Sequence, residues 1–291
     1  MKVVRKIAEL RSEPGEGLLG LVPTMGAFHN GHLALFRAAR QENDRVVASL
    51  FVNPAQFAAD EDLATYPRDE ERDAKLAEEA GVDVLFAPAP DELYPPGFQT
   101  WVEVEQLGRR LEGEQRPGHF RGVATVCLKL FNIVRPDRAY FGQKDAQQVA
   151  VLKQMVRDLD VDLEIRVVPT VRDPDGLALS SRNTYLSPEQ RQRALALPRA
   201  LATRDPARAR ELLDGLDVDY VEVADFDPPV LAAAVRIDGT RLIDNVVLDH
   251  GVARDAASEV VPTSAARPID PGRDGASGPN LDSDLDSKGS K

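Results

Sequence analysis

Between Leu18 and Val168 short apolar runs alternate with segments whose apolar residues recur at helical spacing, and this alternation constrains the fold more than any other feature. Leu18 to Pro23, Arg45 to Val52, Val82 to Ala87, Ala139 to Gly142 and Leu163 to Val168 read as strands. Between them, a helical pattern starts near Gly31 with Leu33, Phe36 and Ala39 on one face. Asp69 to Ala80 reads as a charged amphipathic helix stopped by Gly81, a C-cap glycine. Gly122 to Val134 is predicted to be a buried helix, and Ala146 to Leu159 another. Strand and helix taken in turn predict an α/β fold, a parallel sheet with helices on both faces.

Near Ser187 the pattern changes. Ser187 fits an N-cap, with Pro188 at the first helical position and Gln190 two residues on. An Arg- and Ala-rich helix is expected to run to about residue 203. Asp205 to Leu213, Val218 to Val223, Val230 to Val235 and Thr240 to Leu248 then suggest a smaller α+β domain. The boundaries expected are 1–184 for the first domain and 185–262 for the second. Residues 263–291 carry Ser, Gly, Pro, Asp and Lys without one aromatic, too little apolar surface to offset ordering entropy, and are predicted to be a disordered tail.

Composition excludes several function classes. A net charge of −12 disfavours non-specific nucleic-acid or membrane-surface binding, yet leaves room for a nucleotide held by a few local donors. No stretch approaches the roughly 20 apolar residues of a membrane span, and the N-terminus, MKVVRKIAELRSE, lacks a secretory apolar core. The expected location is therefore cytoplasmic. The single cysteine, Cys127, excludes an intrachain disulfide and a cysteine zinc site, and its apolar neighbours read as core.

Five segments carry candidate chemistry. Pro23-Thr24-Met25-Gly26-Ala27-Phe28-His29-Asn30-Gly31-His32 joins a strand to a helix, where unpaired backbone N–H groups attract phosphate. His29 and His32, three residues apart, can face one site and donate to oxygens gaining charge. A metal pair or a purely structural role fits the same residues, and the loop matches neither the Walker nor the dinucleotide pattern. Asn53 and Gln56, in FVNPAQF at the end of a strand, suit a small polar substrate or an ordinary turn. Leu111 to Gly122 gathers two arginines, His119 and three glycines in one loop, which equally describes a solvated loop. In Phe141-Gly142-Gln143-Lys144-Asp145 followed by Gln148, Lys144 is a point charge suited to phosphate, with Gln148 one helical turn on, unless Lys144 and Asp145 are merely a solvated pair. Finally Leu179-Ser180-Ser181-Arg182 places two hydroxyls and a guanidinium at the domain boundary, the makings of a closing phosphate clamp.

Together these segments closely resemble the pantothenate synthetase (pantoate–beta-alanine ligase) family. PTMGAFHNGH, FVNPAQF, LEGEQRPGHFRGVATVCLKLFNIVRPDRAYFGQKDAQQ and RDPDGLALSSRNTYLS fit its pattern in order, strongly to about residue 190, and TRLIDN at Thr240 to Asn245 fits again. The resemblance implies a Rossmann-like nucleotidyltransferase domain with an H-x-G-H signature. It also implies an ATP-dependent ligation of pantoate and beta-alanine through pantoyl adenylate, Mg²⁺ accompanying ATP, and a homodimer. By position, Met25, Gly26, Ala27, Phe28, His29, Asn30, Gly31 and His32 would line the ATP site, His32 being the family's proton donor. Gly142, Gln143, Lys144, Asp145 and Val171 would join them, with Leu179, Ser180, Ser181 and Arg182 opposite. Gln56 would contact pantoate and beta-alanine, and Gln148 pantoate. His29, His32, Lys144 and Arg182 would neutralise the departing pyrophosphate, His32 as a hydrogen-bond donor more than an acid. Other nucleotidyltransferases share the start but do not account for Gln56, Gln148 or the Arg-Pro-Gly-His loop, and no basic anticodon-reading segment follows. Two departures stand out: the second domain is shortened between Leu201 and Arg208, and the tail is extra.

Overall fold

The computed structural model describes residues 1–13, 15–58, 61 and 63–249. The expected tail, 263–291, and the end of the expected second domain lie outside them. In chain order the elements are β1 Lys2–Val4, α1 Ile7–Ser12, β2 Leu19–Thr24, α2 Asn30–Glu42, β3 Arg45–Leu50, α3 Glu70–Glu79, β4 Val84–Phe86, α4 Pro90–Leu93, α5 Glu112–Gln115, α6 His119–Val134, β5 Arg138–Gly142, α7 Ala146–Asp158 and β6 Glu164–Val168. There follow α8 Pro188–Ala194, α9 Ala196–Leu201, α10 Pro206–Leu212, β7 Asp217–Ala224, β8 Val230–Ile237 and β9 Thr240–Val247.

The first six strands form one parallel sheet in the order β1-β4-β3-β2-β5-β6. Side chains alternate across it, so each strand must feed two apolar layers. Leu21, Val47, Ala139 and Phe141 pack on one face with α1, α6 and α7 residues such as Leu10, Phe131 and Leu152. Val22, Val46, Ala48 and Tyr140 pack on the other against Phe36 and Ala39 of α2 and Ala77 of α3. Cys127 is buried within α6, and burial pushes its thiol up to about 12. α3 stops as expected at Gly81, whose φ is +90°. α6 starts three residues earlier than expected because Gly118, at φ +84°, turns the chain directly into it.

The last three strands form a separate antiparallel sheet, β7-β8-β9. Its central strand, β8, is buried almost throughout and packs with Leu197, Leu201 and Leu213 in a second core. Ser187 accepts from the Gln190 N–H while Gln190 accepts from the Ser187 N–H at 2.8 Å, the reciprocal cap predicted for α8. The single helix expected to residue 203 is instead two, broken between Ala194 and Ala196. Arg204 adopts φ +57° between α9 and α10, so the chain turns sharply there.

Candidate active site

The chain leaves β2 for β3 and β4 on one side and returns to β5 on the other, so the strand order reverses between β2 and β5. Ligands of open α/β sheets bind beyond the strand ends at such a reversal. Two cavities lie there, one of about 500 Å³ between the two sheets and one of about 220 Å³ at the β2 end. Arg116, His119, Asp145, Gln148 and Arg182 line both. The smaller also takes in Met25, His32, Gln56 and Gly142, the larger Lys144 and Ser180.

After β2, Gly26 and Ala27 both take left-handed backbone conformations, at φ +90° and +53°. Successive residues of this kind aim their N–H groups at one point, where an anion fits. The anion is part of the protein. Asp73 of α3, 1% exposed, accepts from the Ala27 N–H at 2.7 Å and the Phe28 N–H at 2.8 Å. Burial raises its carboxyl above the ordinary range although both N–H groups oppose the shift.

The two histidines cap α2 themselves. His29 Nδ1 accepts from the Gly31 N–H at 3.1 Å, and His32 Nδ1 accepts from the His29 N–H at 3.3 Å. A Cβ on Gly31 would stand 2.8 Å from the His29 ring, so glycine is needed where that ring folds over the helix start. The backbone donors expected to be free for phosphate at Ala27, Phe28, His29 and Gly31 are therefore already engaged. Each histidine still has its Nε2–H to donate, because each Nδ1 is an acceptor and each ring is neutral. Burial, aided by Lys144, lowers His29 to about 4. Burial, then His29 and Lys144, lowers His32 to about 3. A neutral imidazole supplies a hydrogen bond and no readily transferred proton. Among the described residues no group of three or more His, Cys, Asp or Glu side chains is placed to hold a metal ion.

Asn53, expected to be free for substrate alongside Gln56, is not. Its amide donates to Gln56 Oε1 at 3.0 Å and the Gly122 carbonyl at 3.2 Å, and its oxygen accepts from the Tyr94 hydroxyl and the Ala55 N–H. All four of its hydrogen bonds are spent on structure. Among the described residues, the Gln56 side chain has only Asn53 on its oxygen and the weak acceptor Met25 Sδ, at 3.2 Å, on its nitrogen.

Across the crevice, Lys144 is 20% exposed and 3.6 Å from Asp145, so it is a cleft residue more than a solvated one. Its loop is braced by the second sheet: Asn245 of β9 donates to the Gln143 and Lys144 carbonyls, both at 2.9 Å, and accepts from the Gln143 side chain. Ser180 Oγ accepts from the Arg182 N–H and opens the turn Ser181–Tyr185. The Val171 carbonyl accepts from the Leu179 N–H at 3.0 Å, which sets Leu179 beside Gly31. Phe28 turns away into the core against Phe36. Asn30 is exposed at the helix start.

Sequence reasoning missed Asp73 and the ion pairs that tie Glu112 and Arg172 to β9. Glu112, 6% exposed, takes both terminal nitrogens of Arg241 at 2.6 Å and the Tyr220 hydroxyl at 2.7 Å. Arg172 grips Asp244 at 2.6 and 3.0 Å. Asp73 did leave a signal, an acidic residue four before buried Ala77 on the inward stripe of α3.

A doubly wound sheet whose switch point ends in neutral and cationic donors defines an α/β enzyme of the nucleotide-binding kind. The chain belongs to the pantoate–beta-alanine ligase family, whose model matches residues 1–247, and it is a ligase of that family. It is 52% identical over 280 residues to the pantothenate synthetase of Moorella thermoacetica, covering 86% of this chain and 99% of that one. That alignment is longer than the part of this chain it uses, so this chain lacks positions the relative has. The crystal structure of pantothenate synthetase from Thermus thermophilus has a TM-score of 0.81 at 48% identity, over 85% of this chain and 99% of that one. The enzyme from Francisella tularensis, solved with "Beta-gamma ATP" and beta-alanine, gives 0.76 at 36% identity, over 85% and 97%. Among the described residues no helix is long and apolar enough to cross a membrane.

Proposed function

We propose that the chain condenses pantoate with beta-alanine at the expense of ATP, through a pantoyl adenylate, in the cytoplasm and as a homodimer. The observation that carries this reading is neutral His32, which lines one cavity with Gln56, Gln148 and Arg182, with the His29 ring 4.2 Å from its own and Lys144 near enough to help hold both rings neutral. In the first step a pantoate carboxylate oxygen attacks the α-phosphorus and the bond to the β-phosphate oxygen breaks, releasing pyrophosphate. In the second the beta-alanine nitrogen attacks the acyl carbon, AMP leaves, and the nitrogen loses its proton. Carboxylate attack on phosphorus needs position and charge stabilisation more than covalent help. The Nε2–H groups of His29 and His32 and the cations of Lys144 and Arg182 supply the latter. Gln56 and Gln148 present amides to the small acid. Magnesium enters on the nucleotide as MgATP, in keeping with an ion that favours phosphates and a few carboxylates over an all-protein cage.

The division at residue 184 gives the second domain the role of a lid, latched by Glu112–Arg241 and by Asn245, and puts Ser180 to Arg182 at the hinge, where they close over the phosphates as the domains approach. Sedimentation tests the dimer. Coupled AMP release with each substrate omitted in turn tests the reaction: AMP is expected only with all three, and ATP–pyrophosphate exchange only with pantoate. Exchange without pantoate would assign the chain to another nucleotidyltransferase chemistry.

A further inference from the structure

Gln56 sits at the end of a three-residue turn, Pro54–Gln56, too short to fix its own direction. Helix α6 presses on that turn from behind. A Cβ on Gly122 would come within 2.3 Å of the Ala55 carbonyl oxygen and 2.7 Å of Gln56 Cα, so the helix touches the turn backbone to backbone. One helical turn earlier on the same face, His119 places Nδ1 2.9 Å from the Gln56 carbonyl oxygen. Its Nε2 lies 3.1 Å from a terminal nitrogen of Arg116. A guanidinium only donates, so Nε2 is the acceptor and the ring proton must be on Nδ1, aimed at Gln56. Arg116 is itself held by both Glu61 oxygens, at 2.6 and 2.7 Å.

We propose that His119 is a positioning residue for the small-acid substrate. Arg116 selects its tautomer, and Nδ1–H anchors the Gln56 carbonyl so that the Gln56 amide meets the substrate in one orientation. The inference rests on the ligase reading, in which Gln56 contacts pantoate.

The test is steady-state kinetics on the full chain with His119→Ala and His119→Asn, in wild-type and Gln56→Ala backgrounds. An asparagine amide nitrogen overlays Nδ1 and can keep the bond to Gln56; alanine cannot. Loss of one anchoring bond predicts a pantoate KM raised roughly tenfold in His119→Ala, with the ATP KM within about twofold. His119→Asn is expected to recover most of that rise, and His119→Ala to add little once Gln56 is already alanine. Equal change in all substrate KM values, no rescue by asparagine, or full additivity with Gln56→Ala would overturn the proposal. If His119→Ala does not fold, the asparagine variant decides alone, since its pantoate KM must then stay within about twofold of wild type. Absence of pantoate-dependent AMP release in the wild type would instead overturn the ligase reading, so the two failures are told apart.

Discussion

Replacing Asp73 tests whether the loop after β2 is held from behind or attracts phosphate by itself. The carboxylate accepts two backbone N–H groups at 2.7 and 2.8 Å, and Ala27 is kept in a left-handed conformation that alanine avoids. Each charge-assisted bond is worth about 1.5–3 kcal/mol, and burial of the carboxylate offsets part of the sum. Asp73→Ala should therefore lose about 3 kcal/mol of loop order, which ATP must restore on binding. That corresponds to about a hundredfold drop in kcat/KM for ATP, with kcat/KM for beta-alanine at saturating ATP much less affected. Asp73→Asn keeps one acceptor and sets an amide donor against the other N–H, so it should fall between wild type and alanine. The assay is AMP release with ATP varied, beside thermal melts to confirm folding. A negative charge next to a triphosphate site also repels it, so the opposite sign is a real alternative. An Asp73→Asn enzyme that binds ATP more tightly than wild type would refute the positional reasoning.

Other perturbations follow from the same geometry. Glu112→Ala removes the carboxylate that joins the sheets but leaves Arg241 its bond to Asp219 at 2.5 Å, so the loss should be near the low end for a buried pair, about 3 kcal/mol. The expected result is a melting temperature lower by about 9 °C, and an unchanged melt would remove the latch. His29, His32 and His119 have pKa values lowered by burial to about 4, 3 and 4. The unfolded chain binds protons that the folded one refuses below about pH 6.5, so stability is whole above that pH and is lost as pH falls toward 4, by up to about 1.4 kcal/mol per pH unit for each histidine. Denaturant midpoints equal at pH 7 and pH 5 would contradict this, and His32→Gln should flatten the curve. Gly122→Ala drives a Cβ into the Ala55 backbone, which has no side chain to move aside, and should cost about 3 kcal/mol while raising the pantoate KM. A variant as stable as wild type would show that α6 can back away from the turn.

The sheet was legible because its strands carry apolar residues on both faces and its helices on one, a local pattern. β1 was not, being three residues long and paired with β4 across the sequence. The break inside the Arg- and Ala-rich segment was hidden because the helical pattern continues through Leu195 and into α9. That Lys144, Gln56, Ser180 and Arg182 lie on turns after strands, and Gln148 one helical turn beyond Lys144, was legible, and these residues line the two cavities. What escaped was who holds whom. Asp73 grips a loop 46 residues earlier, and Glu112 meets Arg241 across 129. Periodicity carries no information about such partners, so loop N–H groups and Asn53 were read as open when the folded chain had already engaged them.

The ties from the second sheet described above leave largely from one strand: Arg241, Asp244 and Asn245 all belong to β9. That strand is the last of the described elements to leave a ribosome. A nascent chain that has emerged only through β8 already contains the histidines, Lys144 and the sheet beneath them, but neither the brace under the Lys144 loop nor the partner of Glu112. Catalytic competence then arrives late in synthesis, and a chain stalled before Thr240 exposes a half-built cleft and the unpaired edge of β8, an opening for misassembly with its neighbours.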